Sequence, residues 1–131
     1  MHIRFDWHCD AQDIMLITYN TGWTWDELYP TFASVKTLVQ AHPHPVALVN
    51  LFTSSYFPRG SAFTHIQHAF KSRSTNIYAY IIVSDSPFIT NLGTTIFKIL
   101  KQVSNIPEIK FVPTIELALK LAQTLKPIHQ D

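Results

Sequence analysis

Hydrophobic residues change their spacing several times along this chain, and each change marks an element. Ile3, Phe5 and Trp7 alternate with Arg4, Asp6 and His8, the period-two pattern of a strand with one wet face. A polar turn over Cys9 to Asp13 separates it from a second strand, Ile14 to Tyr19, close enough to pair back as a hairpin. Val46-Ala47-Leu48-Val49 is continuously apolar, which suits a central strand covered on both faces. The hydrophobicity persists past Asn50 and then gives way to Thr53, Ser54 and Ser55, with Pro58 and Gly60 punctuating a loop. Ile77 to Val83 reads as a further buried strand, and Ile109 to Val112 as a short one.

Between these strands the apolar period lengthens to that of a helix. Thr24 and Glu27 have capping-box spacing, with Trp23 and Leu28 placed as a hydrophobic staple. This predicts a helix from Trp25 to about Ala41, carrying Trp25, Leu28, Tyr29, Phe32, Val35 and Val39 on one stripe and a bend at Pro30. Ser61 can cap a second helix, with Ala62, Phe63, Ile66, Ala69 and Phe70 at helical period and Lys71 and Arg73 in its last turn. Ser86 caps a third, with Pro87 at its first position. Its core face is expected to hold Phe88, Ile89, Leu92, Ile96, Ile99, Leu100 and Val103, and Asn105 to Pro107 should stop it. Thr114 caps a fourth, with Ile115, Ala118, Leu119, Ala122 and Leu125 inward, and Lys126-Pro127 close the ordered part.

The order is therefore β-β-α-β-α-β-α-β-α over one domain, residues 1–131. Every helix between strands after the hairpin makes a crossover, so the last four strands should be parallel and the first antiparallel at one side. The fold class is α/β: a single mixed, mainly parallel sheet of about five strands with four helices. In such sheets the loops at the carboxyl ends of strands collect ligands, and the longest of them here runs from Asn50 to Ser61.

Composition fits this picture: 131 residues, 47% hydrophobic and 15% charged, enough for a core without disulfides or metals. No apolar window is long enough for a membrane span, and the amino terminus lacks a signal-peptide layout, so a cytoplasmic protein is expected. The lone Cys9 reads as a free thiol. Net charge is +1, which argues against general nucleic-acid affinity, and there is no basic recognition helix. Yet between Glu27 and Glu108 six Lys or Arg residues accompany a single acid, Asp85. That polarisation could steer an anionic ligand or acidic partner to the middle of the chain, or merely reflect scattered surface charges.

Chemistry-bearing clusters are sparse. His42 and His44 sit beside Pro43 and Pro45 as a turn, and His65 and His68 share the outer face of the second helix; neither pair has the further ligands a zinc site needs, so no metal is assigned. The only glycines are Gly22, Gly60 and Gly93, which leaves no glycine-rich phosphate loop. Asp85 lies near Ser84 and Ser86, but no histidine can be placed beside them. No catalytic residue and no cofactor are assigned.

The order of elements, the Val46–Val49 strand followed by Asn50-Leu51, and the loop entering a helix at Gly60-Ser61 resemble the STAS domain, the fold of bacterial anti-sigma-factor antagonists. Trp23-Thr24-Trp25-Asp26-Glu27-Leu28 and Phe57-Pro58-Arg59-Gly60 are more similar to a branch of small, free-standing bacterial STAS-like proteins. The resemblance implies a non-catalytic regulatory module. It also implies a strand ending Asp-Leu and then a loop ending in Asp-Ser-Ser-Gly, where a serine at the helix start is phosphorylated to release the partner. This chain departs from that pattern: Asn50 stands at the first aspartate, the second motif reads Pro58-Arg59-Gly60-Ser61, and Ser61 is the only match for the phosphorylated serine, displaced by one or two positions. Ser61 reads first as an ordinary helix cap and only second as a phosphosite.

The expected function is docking of a partner protein through the Asn50–Ser61 loop and the helix after it, with Asn50, Ser54, Ser55, Arg59, Gly60 and Ser61 as contact residues. The alternative is a small anionic ligand or lipid held in the same loop. There, Leu51, Phe52, Tyr56 and Phe57 would wall a pocket and Arg59 or Ser61 would hold the head group. Oligomeric state stays open, a homodimer included.

Overall fold

The computed structural model describes residues 2–8, 12–71, 74–103 and 108–127. Cys9, Arg73 and the expected stop at Asn105–Pro107 lie outside the described residues. The elements are β1 (Ile3–Trp7), β2 (Ile14–Tyr19), α1 (Trp25–Gln40), β3 (Val46–Phe52), α2 (Ala62–Lys71), β4 (Ile77–Val83), α3 (Pro87–Val103), β5 (Glu108–Val112) and α4 (Ile115–Leu125). They form one α/β unit with a mixed five-stranded sheet and four helices, in the expected order.

The strands lie side by side in chain order, β1-β2-β3-β4-β5. β1 and β2 are antiparallel, with Ile3 opposite Tyr19 and Trp7 opposite Met15. β2, β3, β4 and β5 run parallel. Right-handed crossovers that all advance in one direction must leave their helices on one face. Accordingly α1 touches α2 and α2 touches α3, whereas α4 packs on β3, β4 and β5. Alternate strand residues serve the two layers: Met15, Ile17, Leu48 and Tyr80 join the core under α1–α3, while Ile14, Ala47, Val49, Ile81 and Val83 join Ala118 and Ala122 of α4. The central β3 is buried at every position from Val46 to Asn50, as its unbroken apolar run requires.

Helix starts follow their caps. Thr24 and Glu27 form the full capping box, with Thr24 Oγ1 accepting from Glu27 N at 3.3 Å and Glu27 Oε2 accepting from Thr24 N at 2.9 Å. Glu27 also accepts from the His2 backbone at 2.7 Å. Burial pushes its carboxyl up, but the bonds from His2 and Thr24 outweigh this and hold it below the usual carboxylate range. Ser86 and Thr114 cap α3 and α4 through the backbone N–H three residues on. α1 runs unbroken through Pro30. At the opposite end of the sheet, Asn76 Nδ2 points at the carbonyls of Val39, His42 and His44 at 2.9, 3.1 and 3.1 Å, locking the turn from α1 into β3. Lys126 Nζ reaches Asp13 Oδ2 at 3.0 Å and ties the end of α4 to the start of β2.

The inward face of α3 differs from the expectation. Phe88 is 56% and Ile99 44% exposed, whereas Ile89, Ile96 and Leu100 are buried and Phe97 packs inward. At about 100° per residue, Phe88 and Ile99 fall on one flank of the stripe through Ile89, Ile96 and Leu100, and Gly93 and Phe97 fall on the other. Phe97 packs against Phe70 and Phe111, which turns α3 toward α2 and β5.

Candidate functional site

Two concave features lie at the carboxyl end of the sheet, above and below the 53–61 loop. The outer one is an open groove of about 560 Å³ between the start of α1, the loop and α2, lined by Thr24, Trp25, Asp26, Tyr56, Phe57, Pro58, Arg59 and His65. The inner one is a cavity of about 70 Å³ between the sheet and α1–α3. Trp25 and Phe57 line both, so these two side chains are the partition.

The loop is held from below. Thr53 N and Oγ1 both donate to the Tyr19 carbonyl at 3.1 Å. Thr21 Oγ1 and Ser54 Oγ share a hydrogen bond at 2.7 Å, and Ser54 Oγ also accepts from Tyr56 N. Trp25 Nε1 donates to the Arg59 carbonyl at 2.9 Å. Gly60 turns the chain into α2 at φ +118°, a conformation that a side chain would strain. Beneath these bonds is an aromatic floor. Trp23 meets Tyr19, Trp25 and Phe57 edge-on at 5.1, 5.1 and 5.5 Å, and Tyr19 stacks on Phe52 at 4.5 Å.

The six sequence-derived contact residues separate into two groups. Asn50 is 4% exposed; its Oδ1 accepts from Tyr19 Oη at 2.9 Å, so it faces the inner cavity rather than a partner at the surface. Burial, and then the neighbouring Tyr80, push the Tyr19 phenol far above its usual range, so it stays a donor. Ser54 is half-buried and bonded within the loop. Ser55, Arg59, Gly60 and Ser61 are exposed. Ser61 occupies the cap position, its carbonyl accepting from His65 N at 3.1 Å, but its hydroxyl meets Thr64 Oγ1 at 3.1 Å. Arg59 carries the groove's cation, and Asp26 stands on the same groove's rim as its anion. Of the apolar loop residues, Phe52 and Phe57 line the cavity and Tyr56 and Phe57 the groove, while Leu51 points to the other face and joins the α4 layer.

His65 and His68 do not form an outward pair. His65 is half-buried, stacked on Trp25 at 4.8 Å and hydrogen-bonded through Nδ1 to Tyr29 Oη; His68 is exposed, its ring edge-on to Tyr29. α2 packs against α1 along this line, which turns His65 into the groove wall. Among the described residues no three His, Cys, Asp or Glu side chains converge as a metal site would require. No helix there is long and apolar enough to cross a membrane.

The residues that sequence reasoning missed are Tyr19, Trp23, Trp25 and His65. Trp23 reads as a capping staple and Trp25 as one residue of the α1 stripe, and their meeting with a loop more than thirty residues later has no local signature. Together the sheet and its helices define a mainly parallel α/β protein with two concave features at the carboxyl edge of its sheet. No family model, curated protein or solved structure matches the chain.

Proposed function

We propose that the protein is a non-catalytic, STAS-like regulatory module that docks a partner protein through the outer groove. The observation that carries this reading is the groove itself: three aromatic walls, Trp25, Tyr56 and Phe57, beside the exposed Arg59, for which no ion pair is found among the described residues. Aromatic side chains and arginine are the groups that most often anchor protein interfaces. The groove fits a partner segment that presents an apolar side chain to Tyr56 and Phe57 and a carboxylate to Arg59. Ser61, exposed two residues from Arg59 at the start of α2, is the place where a phosphate would change that contact, by adding negative charge beside the cation.

The test is site-directed photocrosslinking in the native host, with the crosslinker at position 56 and, as control, at Lys120 on α4. A discrete adduct at position 56 that is absent at 120 and lost on Arg59→Glu is the expected result. Equal labelling at both positions, or an adduct indifferent to Arg59→Glu, rejects the groove as the docking face. A small anionic ligand at Arg59 is the second reading, favoured by the same unpaired cation. It predicts that the position-56 adduct is absent while Arg59→Glu abolishes retention of a co-purifying anion.

A further inference from the structure

Among the described residues, β1 has β2 along one edge and no strand along the other. His8 N donates to the Ile14 carbonyl and Asn20 N to the His2 carbonyl, each at 2.9 Å, so His2 and His8 belong to pairs that exchange hydrogen bonds with β2. Antiparallel pairs alternate in this respect: Arg4 and Asp6 also turn their main-chain groups to β2, and Ile3, Phe5 and Trp7 turn theirs to the free edge. Trp7 N accordingly donates to Asp6 Oδ1, at 2.8 Å, instead of to β2. An edge of unpaired main-chain groups is a template for another strand. The side chains alternate as well. Ile3, Phe5 and Trp7 join the core under α1, while Arg4 and Asp6 are exposed on the opposite face, with no ion pair found for either among the described residues.

We infer that this free edge binds a second copy of the chain: β1 pairs antiparallel with its own copy about a two-fold axis at Phe5, joining the two five-stranded sheets into one. The axis sets Phe5 opposite Phe5, Ile3 opposite Trp7 and Arg4 opposite Asp6, the last pairing occurring twice. An axis moved by one residue, to Arg4 or to Asp6, sets a charge opposite itself. Phe5 N–H donates to the carbonyl of the other Phe5, and Ile3 and Trp7 exchange bonds across the axis. Trp7 N–H thereby passes from Asp6 Oδ1 to the Ile3 carbonyl of the second copy, which frees the Asp6 carboxylate for the second copy's Arg4. Charges on an edge strand ordinarily repel added strands. Here opposite signs flank Phe5, so the same strand that resists others matches its own copy. The helix above fits the same axis. Glu27 accepts from His2 N and the Trp7 ring meets His42 edge-on, so α1 runs along β1. Leu38, 38% exposed, lies three turns from Glu27 and within about 20° of it around the helix. The axis sets the two Leu38 flanks side by side, where that side chain leaves water. The inference concerns the sheet edge and does not rest on the docking reading.

The test is sedimentation of the whole protein across a concentration series, with two charge reversals, Arg4→Glu and Asp6→Arg. The unaltered chain should pass from monomer to dimer. Either reversal alone sets like charges opposite each other at both pairs and should weaken self-association by about tenfold or more. An equimolar mixture of the two variants sets opposite charges together again and should recover the dimer, a result that misfolded variants could not give. Amide exchange of the unaltered chain locates the contact without any variant: the outward Phe5 N–H should exchange more slowly as protein concentration rises, while the Arg4 N–H, already bonded to β2, should not change. A monomer up to about 1 mM overturns the inference, whether or not a foreign peptide strand protects Phe5. A dimer indifferent to both reversals, a mixture that fails to recover association, or a Phe5 exchange rate independent of concentration overturns it as well.

Discussion

Removing one oxygen from Tyr19 discriminates between two roles for Asn50. If Asn50 is a surface contact, Tyr19→Phe should leave stability nearly unchanged. In the structure, however, Tyr19 Oη donates to Asn50 Oδ1 at 2.9 Å, with the two residues 5% and 4% exposed. Deleting the hydroxyl keeps the ring stacked on Phe52 but leaves a buried amide oxygen without that partner, which costs about 1–3 kcal/mol. Taking about 2 kcal/mol and about 2.1 cal/mol/K per residue over 131 residues, the melting temperature should fall by about 7 °C. Asn50→Leu alone strands the Tyr19 hydroxyl and should cost a similar amount. The double variant removes both partners and should lose less than the two singles combined, with a coupling of about 1 kcal/mol or more. Urea titration followed by circular dichroism measures all four proteins, with a constant m-value as the check that only stability has moved. A Tyr19→Phe cost below about 0.5 kcal/mol, or strict additivity, would refute the argument. The same pair predicts a pH signature. The phenol is shifted up in the folded state, so the unfolded chain ionises first, near its ordinary pKa of about 10; stability must fall as pH rises through that value, and Tyr19→Phe removes this part of the slope.

Further predictions concern the supports of the site. Asn76→Ala leaves the carbonyls of Val39, His42 and His44 without their shared donor and should cost about 1–3 kcal/mol in chemical denaturation. Gly93→Ala places a methyl 2.7 Å from the Phe111 ring and should destabilise by about 1–3 kcal/mol, with Phe111→Leu restoring part of the loss in the double variant. Glu27 is held ionised below the usual carboxylate range, so its contribution is present above the unfolded-state pKa and disappears as pH falls through the lower folded value. Glu27→Gln should therefore flatten acid unfolding over that window while costing about 1 kcal/mol at neutral pH through the weakened capping box.

The fold was legible because each element carries its own local signal. The alternation of Ile3, Phe5 and Trp7 and the unbroken Val46–Val49 run separate an edge strand from a central one, and Thr24, Ser86 and Thr114 mark helix starts by spacing alone. What was not legible depends on which elements meet. Phe88 and Phe97 look alike as apolar members of one helix, and only the packing of α3 against Phe70 and Phe111 decides that Phe97 is inside. His65 reads as an outer-face residue until α1 is laid against α2 and supplies Trp25 and Tyr29 as its partners. Asn50 reads as a loop contact until Tyr19, from the neighbouring strand, is seen to occupy its side chain.

The placement of both concavities follows from the strand order. Because β2, β3 and β4 advance steadily in one direction, the chain leaving β2 enters α1 directly beside the loop that leaves β3 for α2. Trp23 and Trp25 lie on the first of these connections and Phe57 and Arg59 on the second, so the two connections meet through the Trp25 N–H bond to the Arg59 carbonyl. That contact makes Trp25 at once the roof of the cavity and the floor of the groove. Anything docked in the groove that moved Phe57 would reshape the cavity behind it, and anything seated in the cavity would press on the groove wall. Any coupling between them is reciprocal by thermodynamic linkage, and it passes through one side-chain layer rather than across the domain.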